Sequence, residues 1–201
     1  MLEKFDCTKN YVLEDERVLL RPLQQDDFIN LLPFSLNEPE LWKYSLVGAE
    51  GEEGLQNYMD ITFKAKAEGK EYPFIVFDKR TNENAGSTRF YDIQNELDTV
   101  QLGYTWYGKK FHGTGLNKHC KFLLLSFAFE RMGVERFELR ADNNNEKSIA
   151  AMKSIGCKVD GILRSNMPTR EPGKRRDSII LSVLKDEWFG GVKDALAKRL
   201  S

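Results

Sequence analysis

Between residues 116 and 132 the chain is apolar at 116, 120, 123, 124, 127 and 128, and Gly133 stands where a C-terminal cap belongs. This spacing predicts a central helix, mostly buried. Upstream, Arg17-Val-Leu-Leu-Arg-Pro22 is a short β-rich run stopped by proline, and Gln25-Asp26-Asp27 opens an apolar segment, residues 28–34, of helical character. Residues 37–54 carry Pro39, Gly48, Gly51 and Gly54 among acidic residues and predict a long excursion. Leu55, Tyr58, Met59, Thr62 and Phe63 then recur at helical spacing toward Gly69. Residues 72–77, 86–93 and 100–107 predict three strands meandering antiparallel, joined by a turn at 82–85 and a polar connection at 94–98. Residues 137–141 form a further strand, 142–145 a polar turn, and 146–155 a short helix ended by Gly156. A hairpin of 157–167 and 178–184 follows, with Pro172 and Gly173 at the central positions of a type II turn. In the tail, Trp188, Val192, Leu196 and Leu200 keep helical spacing, although Gly190 and Gly191 cut it.

Composition narrows the class. With 41% apolar and 30% charged residues among 201, the chain has too large a core for disorder, and its net charge of -1 removes the general electrostatic case for DNA or RNA. The longest apolar stretch, 122–129, is interrupted by Ser126 and falls far short of the roughly 20 residues a membrane span needs. No leader pattern opens the chain, and Cys7, Cys120 and Cys157 make no disulfide framework, so a reducing cytoplasm is expected. Neither a repeat nor a linker breaks it, which predicts one domain over 1–201, with a core of about 14–185 and a helical tail at 186–201.

The chemistry gathers at Gly108-Lys-Lys-Phe-His-Gly-Thr-Gly-Leu-Asn117, where a strand runs through a glycine loop into the buried helix. Free N–H groups at a helix N-terminus, backed by the helix dipole, make an anion site that Gly113 and Gly115 leave open to close approach. A P-loop fails because Thr114 follows Gly113 where lysine is needed; a dinucleotide fingerprint fails because Lys118 stands where the third glycine belongs. Lys109, Lys110 and Lys118 add local positive charge, and Asn145 and Ser148 lie on one face of the 146–155 helix, Asn145 as a natural N-cap.

His112-Gly-Thr-Gly115-Leu-Asn117 resembles the acetyl-CoA pyrophosphate loop of the GNAT acetyltransferases. Arg17-Val-Leu-Leu-Arg-Pro-Leu, Leu102-Gly-Tyr-Thr-Trp, Asn145-Glu-Lys-Ser148, Ile155-Gly-Cys, Arg176-Asp-Ser and Glu187-Trp188 fall in the order of its RimJ/RimL-type branch. The resemblance spans about 14–200. It implies an α/β (α+β) fold of about seven mostly antiparallel strands, splayed between the fourth and fifth (100–107 and 137–141), with helices on both faces. It implies acetyl-CoA held by Thr105, Trp106, Tyr107, His112, Gly113, Thr114, Gly115, Leu116, Asn117, Asn145 and Ser148. Backbone N–H groups of 113–117 would take the pyrophosphate, aided by the Thr114 hydroxyl and Asn117 amide, and 105–107 would offer main chain to the pantetheine. The branch acetylates α-amino groups of ribosomal proteins; relatives modify small-molecule amines.

Acetyl transfer needs a neutral amine, a donor to the thioester oxygen and a proton for the departing thiolate. Gln101 stands where relatives carry a basic Glu and cannot titrate, and Leu181 stands where they can carry Tyr. Candidate catalytic groups are therefore Ser148, Tyr104 and Gln101, with Tyr107 near the thioester and Glu96 or Asp98 acting through water. His112, His119, Cys120 and Cys157 show no zinc-type spacing, so no metal is expected. Arg164, Arg170, Lys174, Arg175 and Arg176 make the last hairpin cationic, either as a solvated tip or as a surface for an acidic acceptor. The expected activity is N-acetylation of a protein or peptide α-amine by a monomer or homodimer; the alternatives are a small-molecule acetyltransferase and a non-catalytic acyl-CoA-binding protein.

Overall fold

In a computed structural model, residues 3–200 are described. Eight strands form one sheet in the order β1-β2-β3-β4-β5-β6-β8-β7: β1 Leu13–Glu14, β2 Val18–Pro22, β3 Glu71–Asp78, β4 Glu83–Gln94, β5 Thr99–Tyr107, β6 Arg136–Asp142, β7 Lys158–Pro168 and β8 Arg175–Leu184. The sequence predicts about seven; the eighth is β1, a two-residue strand on Leu19 and Leu20, too short for any alternation to register. All pairings are antiparallel except β5 with β6.

Helices cover both faces. Successive strand residues point to opposite sides. Arg89 lies beneath Tyr58 of α2 (Gly51–Ala67), its guanidinium carbon 4.9 Å from the ring centroid, whereas Phe90 packs on Phe127 at 5.9 Å, just past α3 (Leu116–Ser126). Beside α2 lies α1 (Phe28–Asn37), whose Phe34 packs on Trp106 of β5. The apolar spacing predicts a helix as far as 132, but α3 gives way to a π turn over Phe127–Arg131, where Met132 N–H reaches back to the Phe127 carbonyl. The wider turn buries both Phe127, against Tyr11 and Phe90, and Phe129, against Phe137 and Trp188. Gly133 closes it at φ +70°.

The sheet divides at β5. Its pairing with β6 runs from Thr99–Arg136 to Leu102–Leu139 and stops. Immediately beyond, Ser87–Trp106 and Arg89–Gly103 pairs set three β5 intervals against two on β4, a bulge in which Tyr104 takes φ +49°. Such a bulge bends its strand, so β5 stays with β4 while Arg140, Ala141 and Asp142 stay with β8. The gap is that divergence, and α4 (Glu146–Ser154) begins beside its open end.

Beyond β8, α5 (Lys185–Glu187) and α6 (Lys193–Ala197) are separated at Gly191, φ +138°, where the sequence places its break. The type II turn is formed, with Gly173 at φ +77° and Lys174 N–H donating to the Glu171 carbonyl.

Candidate functional site

Where β5 ends, the chain makes one short turn, Lys109–Phe111, and enters the glycine loop. Gly113 and Gly115 have φ of +74° and +90°, and a Cβ on either would meet nothing within 4 Å. Both glycines therefore serve the backbone turn and face open space over the N-terminus of α3. The N–H groups of Gly113, Thr114, Gly115 and Asn117 have no hydrogen-bond partner among the described residues, as an anion cradle requires.

Side chains around this cradle depart from expectation. Thr114 Oγ1 donates to the Phe111 carbonyl at 2.8 Å and lies 3.4 Å from Arg17, so it braces the loop from behind and is not a phosphate donor. His112 N–H is used by the Lys109 carbonyl. Its ring joins both sides of the gap: Lys147 Nζ of α4 lies 2.7 Å from Nδ1, and Nε2 lies 2.8 Å from the Tyr107 carbonyl. Because an ammonium only donates, Nδ1 accepts and the proton sits on Nε2, which spends the Tyr107 carbonyl that was expected to serve a ligand. Lys109 and Lys110 are paired with Glu40 and Glu83. Lys118 has no printed partner, and Lys147 is a cation the motif reading missed, hidden by being 35 residues from His112. Leu116 and Trp106 are buried in the core, Trp106 against Trp42 and Phe34, so Trp106 can serve a ligand only through its main chain.

At the open end of the gap, Asn145 caps α4, its Oδ1 accepting the Ser148 N–H at 3.1 Å. The Ser148 hydroxyl is half-buried on the same turn. On the α2 face lie Tyr91, Gln101, Gly103 and Tyr104. Gly103 has no room for a Cβ, because the Tyr91 ring would stand 2.7 Å from it. Tyr104 stacks on Arg89, 3.8 Å from centroid to guanidinium carbon; desolvation raises its hydroxyl above the usual range, against a smaller opposing effect of Arg89. The buried Gln101 donates from Nε2 to Asp92 Oδ2 at 2.6 Å, while its Oε1 has no partner.

Asp92 is thus the carboxylate at Gln101, held at φ +46°, and sequence reasoning missed it. Only strand register shows that the residue after Tyr91 comes opposite Gln101. Glu96 and Asp98 are misplaced as candidates: they lie in the β4–β5 turn, at the paired end of β5, where Asp98 binds Lys4 and its carbonyl receives Glu135 N–H. Leu181 is fully buried opposite Leu139 and offers the site no hydroxyl. Thr105 turns to the other face, its Oγ1 2.7 Å from Thr88 Oγ1 and 3.1 Å from Lys121 Nζ.

The cationic hairpin is largely self-satisfied. Arg170 grips Glu50 through two nitrogens, at 2.5 and 2.9 Å, and Gly48 is small because a Cβ there would strike this pair. Arg176 donates to the Tyr44 carbonyl, Arg175 to Ser165 and Asn166, and Lys174 pairs with Glu171. These contacts tie the hairpin to the 42–50 loop and leave little free charge for an acidic acceptor. Asp15, Glu16 and His119 bring possible ligand atoms within 4.8 Å, but Asp15 already binds His119 Nδ1 at 2.7 Å and the N–H groups of Arg17 and Val18, which anchors α3 to β2.

A split sheet with an anion cradle at the end of its diverging strand is what the resemblance implied, and the family model described as an acetyltransferase (GNAT) domain matches residues 17–158. The chain belongs to the GNAT acetyltransferase family. Over 183 residues it is 25% identical to the uncharacterized N-acetyltransferase p20 of Bacillus licheniformis, covering 89% of this chain and 98% of that one. Over 105 residues, 52% of this chain and 56% of the relative, it is 33% identical to a Bacillus subtilis strain 168 protein named ribosomal N-acetyltransferase YdaF. The Mycobacterium smegmatis RimJ structure, in complex with CoA-disulfide, shares the fold at a TM-score of 0.76 and 17% identity, over 94% of this chain and 93% of that one. The GNAT assignment makes the chain an N-acetyltransferase.

Proposed function

We propose that this GNAT chain takes its acetyl group from acetyl-CoA and transfers it to the α-amine at the end of a polypeptide. The open cradle fits a pyrophosphate: free N–H groups of 113–117, Lys118 beside them, and no Cβ in the way. The gap leaves the β6 side of β5 beyond Leu102 without a strand partner, suited to an extended amide-bearing arm. Bound there, acetyl-CoA supplies an acyl group already activated as a thioester.

The observation that carries the acceptor reading is Gln101, an amide where a base would deprotonate the incoming amine. With proton removal left to solvent or to the exposed Asp92, the rate follows the neutral fraction of the amine. An α-amine near pKa 8 is about 10% neutral at pH 7, against well under 1% for a lysine near 10.4. Proximity in the gap then does much of the work, with the Ser148 and Tyr104 hydroxyls as the nearest candidate donors. The relative named as ribosomal supports a polypeptide acceptor. The cleft lined by Leu46, Val47, Gly48, Glu50, Asn57 and Arg170 offers a polypeptide end its entry.

Mass spectrometry of a peptide bearing both a free N-terminus and an internal lysine, incubated with enzyme and acetyl-CoA, tests this. Predominant α-acetylation is expected. Predominant ε-acetylation overturns the reading, as does an inert peptide beside a rapidly acetylated small amine; heat protection by acetyl-CoA with no acetylation of any amine marks a binding protein only.

A further inference from the structure

Beneath the gap lies a buried charge without a counter-charge. Lys121, on the second turn of α3, is only 5% exposed, and its ammonium donates to one neutral acceptor, Thr105 Oγ1 at 3.1 Å, itself bonded to Thr88. No carboxylate among the described residues comes within ion-pair distance. The titratable groups around it are Cys120 on its own helix and Cys157 between α4 and β7, both thiols pushed up to about 12, chiefly by burial. Tyr107 of β5 lies beyond, against Cys120, its hydroxyl also raised by burial, and Asp15 faces Cys120 while committed to His119 and β2. None of these four supplies the missing negative charge to the ammonium at neutral pH: three are neutral there and the fourth is engaged elsewhere.

Burying an unpaired ammonium is unfavourable, and leucine or methionine would fill the same space without that cost. The penalty appears as desolvation, which pushes Lys121 down to about 8. The geometry calls for an anion that arrives with a ligand. Thr105, the anchor of this ammonium, lies on β5 three residues past its last pair with β6, at the edge of the gap itself.

We propose that Lys121 is the counter-charge and proton donor for the thiolate that leaves acetyl-CoA in the β5–β6 gap. This rests on the reading of that gap as the acetyl-CoA site. The amine nitrogen forms the C–N bond to the acetyl carbon, and the C–S bond breaks with its electron pair on sulfur. One proton leaves the amine for solvent. Lys121 passes one to sulfur, remains as a neutral amine, and regains its proton from solvent as free CoA departs. Its depressed acidity suits the task, lying within about one unit of an ordinary thiol near 8.5, so the transfer is close to balanced in both directions.

The test reads the ligand, apart from turnover: ultraviolet thiolate absorbance of free CoA bound to the protein, titrated with pH in wild type and Lys121→Met, with calorimetric affinity for CoA and desulfo-CoA alongside. In wild type the bound thiol is expected to titrate about 10-fold more acidic than free CoA, one pH unit. In Lys121→Met it returns to the free value, while desulfo-CoA binds both proteins alike. Folding of the variant is checked by melting. Lys121 is harder to protonate folded than unfolded, so the wild type carries the full cost of its charge below pH 8 and sheds it as pH rises toward 10.5. Lys121→Met therefore melts higher at pH 7, and its advantage narrows above pH 8. An unshifted thiol in wild type, or the same shift in both proteins, overturns the proposal. Failure of wild type to bind CoA at all overturns the reading of the gap and this proposal with it, whereas tight binding with an unshifted thiol overturns the proposal alone.

Discussion

The two ends of the candidate site are built from different materials. At the N-terminus of α3 the anion cradle is main chain: N–H groups freed by a helix start and two glycines whose φ values no other residue adopts without strain. On the α2 face the site is side chains alone, with Tyr91, Gln101, Tyr104, Arg89 and Asp92 brought together from two strands and held by ring contacts and one short hydrogen bond. A backbone site survives wide change in sequence as long as its turn forms. A side-chain site is rewritten by single substitutions, and the replacement of a carboxylate by Gln101 is an instance. Such a chain can keep the cosubstrate common to its family while its acceptor becomes its own.

That contrast can be broken most sharply at Gly115. Replacing it by Glu projects a negative charge into the space above α3 and is expected to weaken acetyl-CoA by about 10- to 1000-fold, read by calorimetry. Gly115→Asn tolerates the positive φ without adding charge, so it separates electrostatics from backbone strain and should cost far less. An equal loss in both would mean that the turn, and not the anion, is what the glycine serves.

A smaller effect is expected where the hairpin meets the 42–50 loop. Arg170→Ala removes the grip on Glu50, whose partners are partly solvated, so stability changes by less than about 1 kcal/mol. The loop is freed, and KM for a peptide amine should rise about 3- to 10-fold with KM for acetyl-CoA unchanged. A rise in both would mean that the two halves of the site are not independent.

Legibility in the sequence followed the same division. The glycine loop, the buried helix behind it and the end of β5 are local features, so spacing and glycine placement predicted them to within a few residues. The split sheet came from resemblance; its cause, a bulge at Tyr104, leaves no mark in composition because the strained residue is not glycine. Asp92 at Gln101, Lys147 at His112 and Arg170 at Glu50 were invisible, since each depends on a register or on a contact across up to 120 residues. Charge patterning misread the hairpin for a related reason: five cations in thirteen residues look free until the loop that neutralises them is folded against them. Lys121 sat unnoticed inside a helical pattern whose apolar positions were the only ones being counted.

The central claim is that acetyl-CoA lies along the bulged half of β5 with its pyrophosphate on the N-terminus of α3. Hydrogen–deuterium exchange of the wild-type protein, with and without saturating acetyl-CoA, measures it directly. Slowed exchange is expected at 113–117 and at 103–107 together, with β3 unchanged because its amides are already paired within the sheet. Calorimetric binding that leaves both stretches exchanging as before, or that protects only the 42–50 loop and the β7–β8 hairpin, would contradict it.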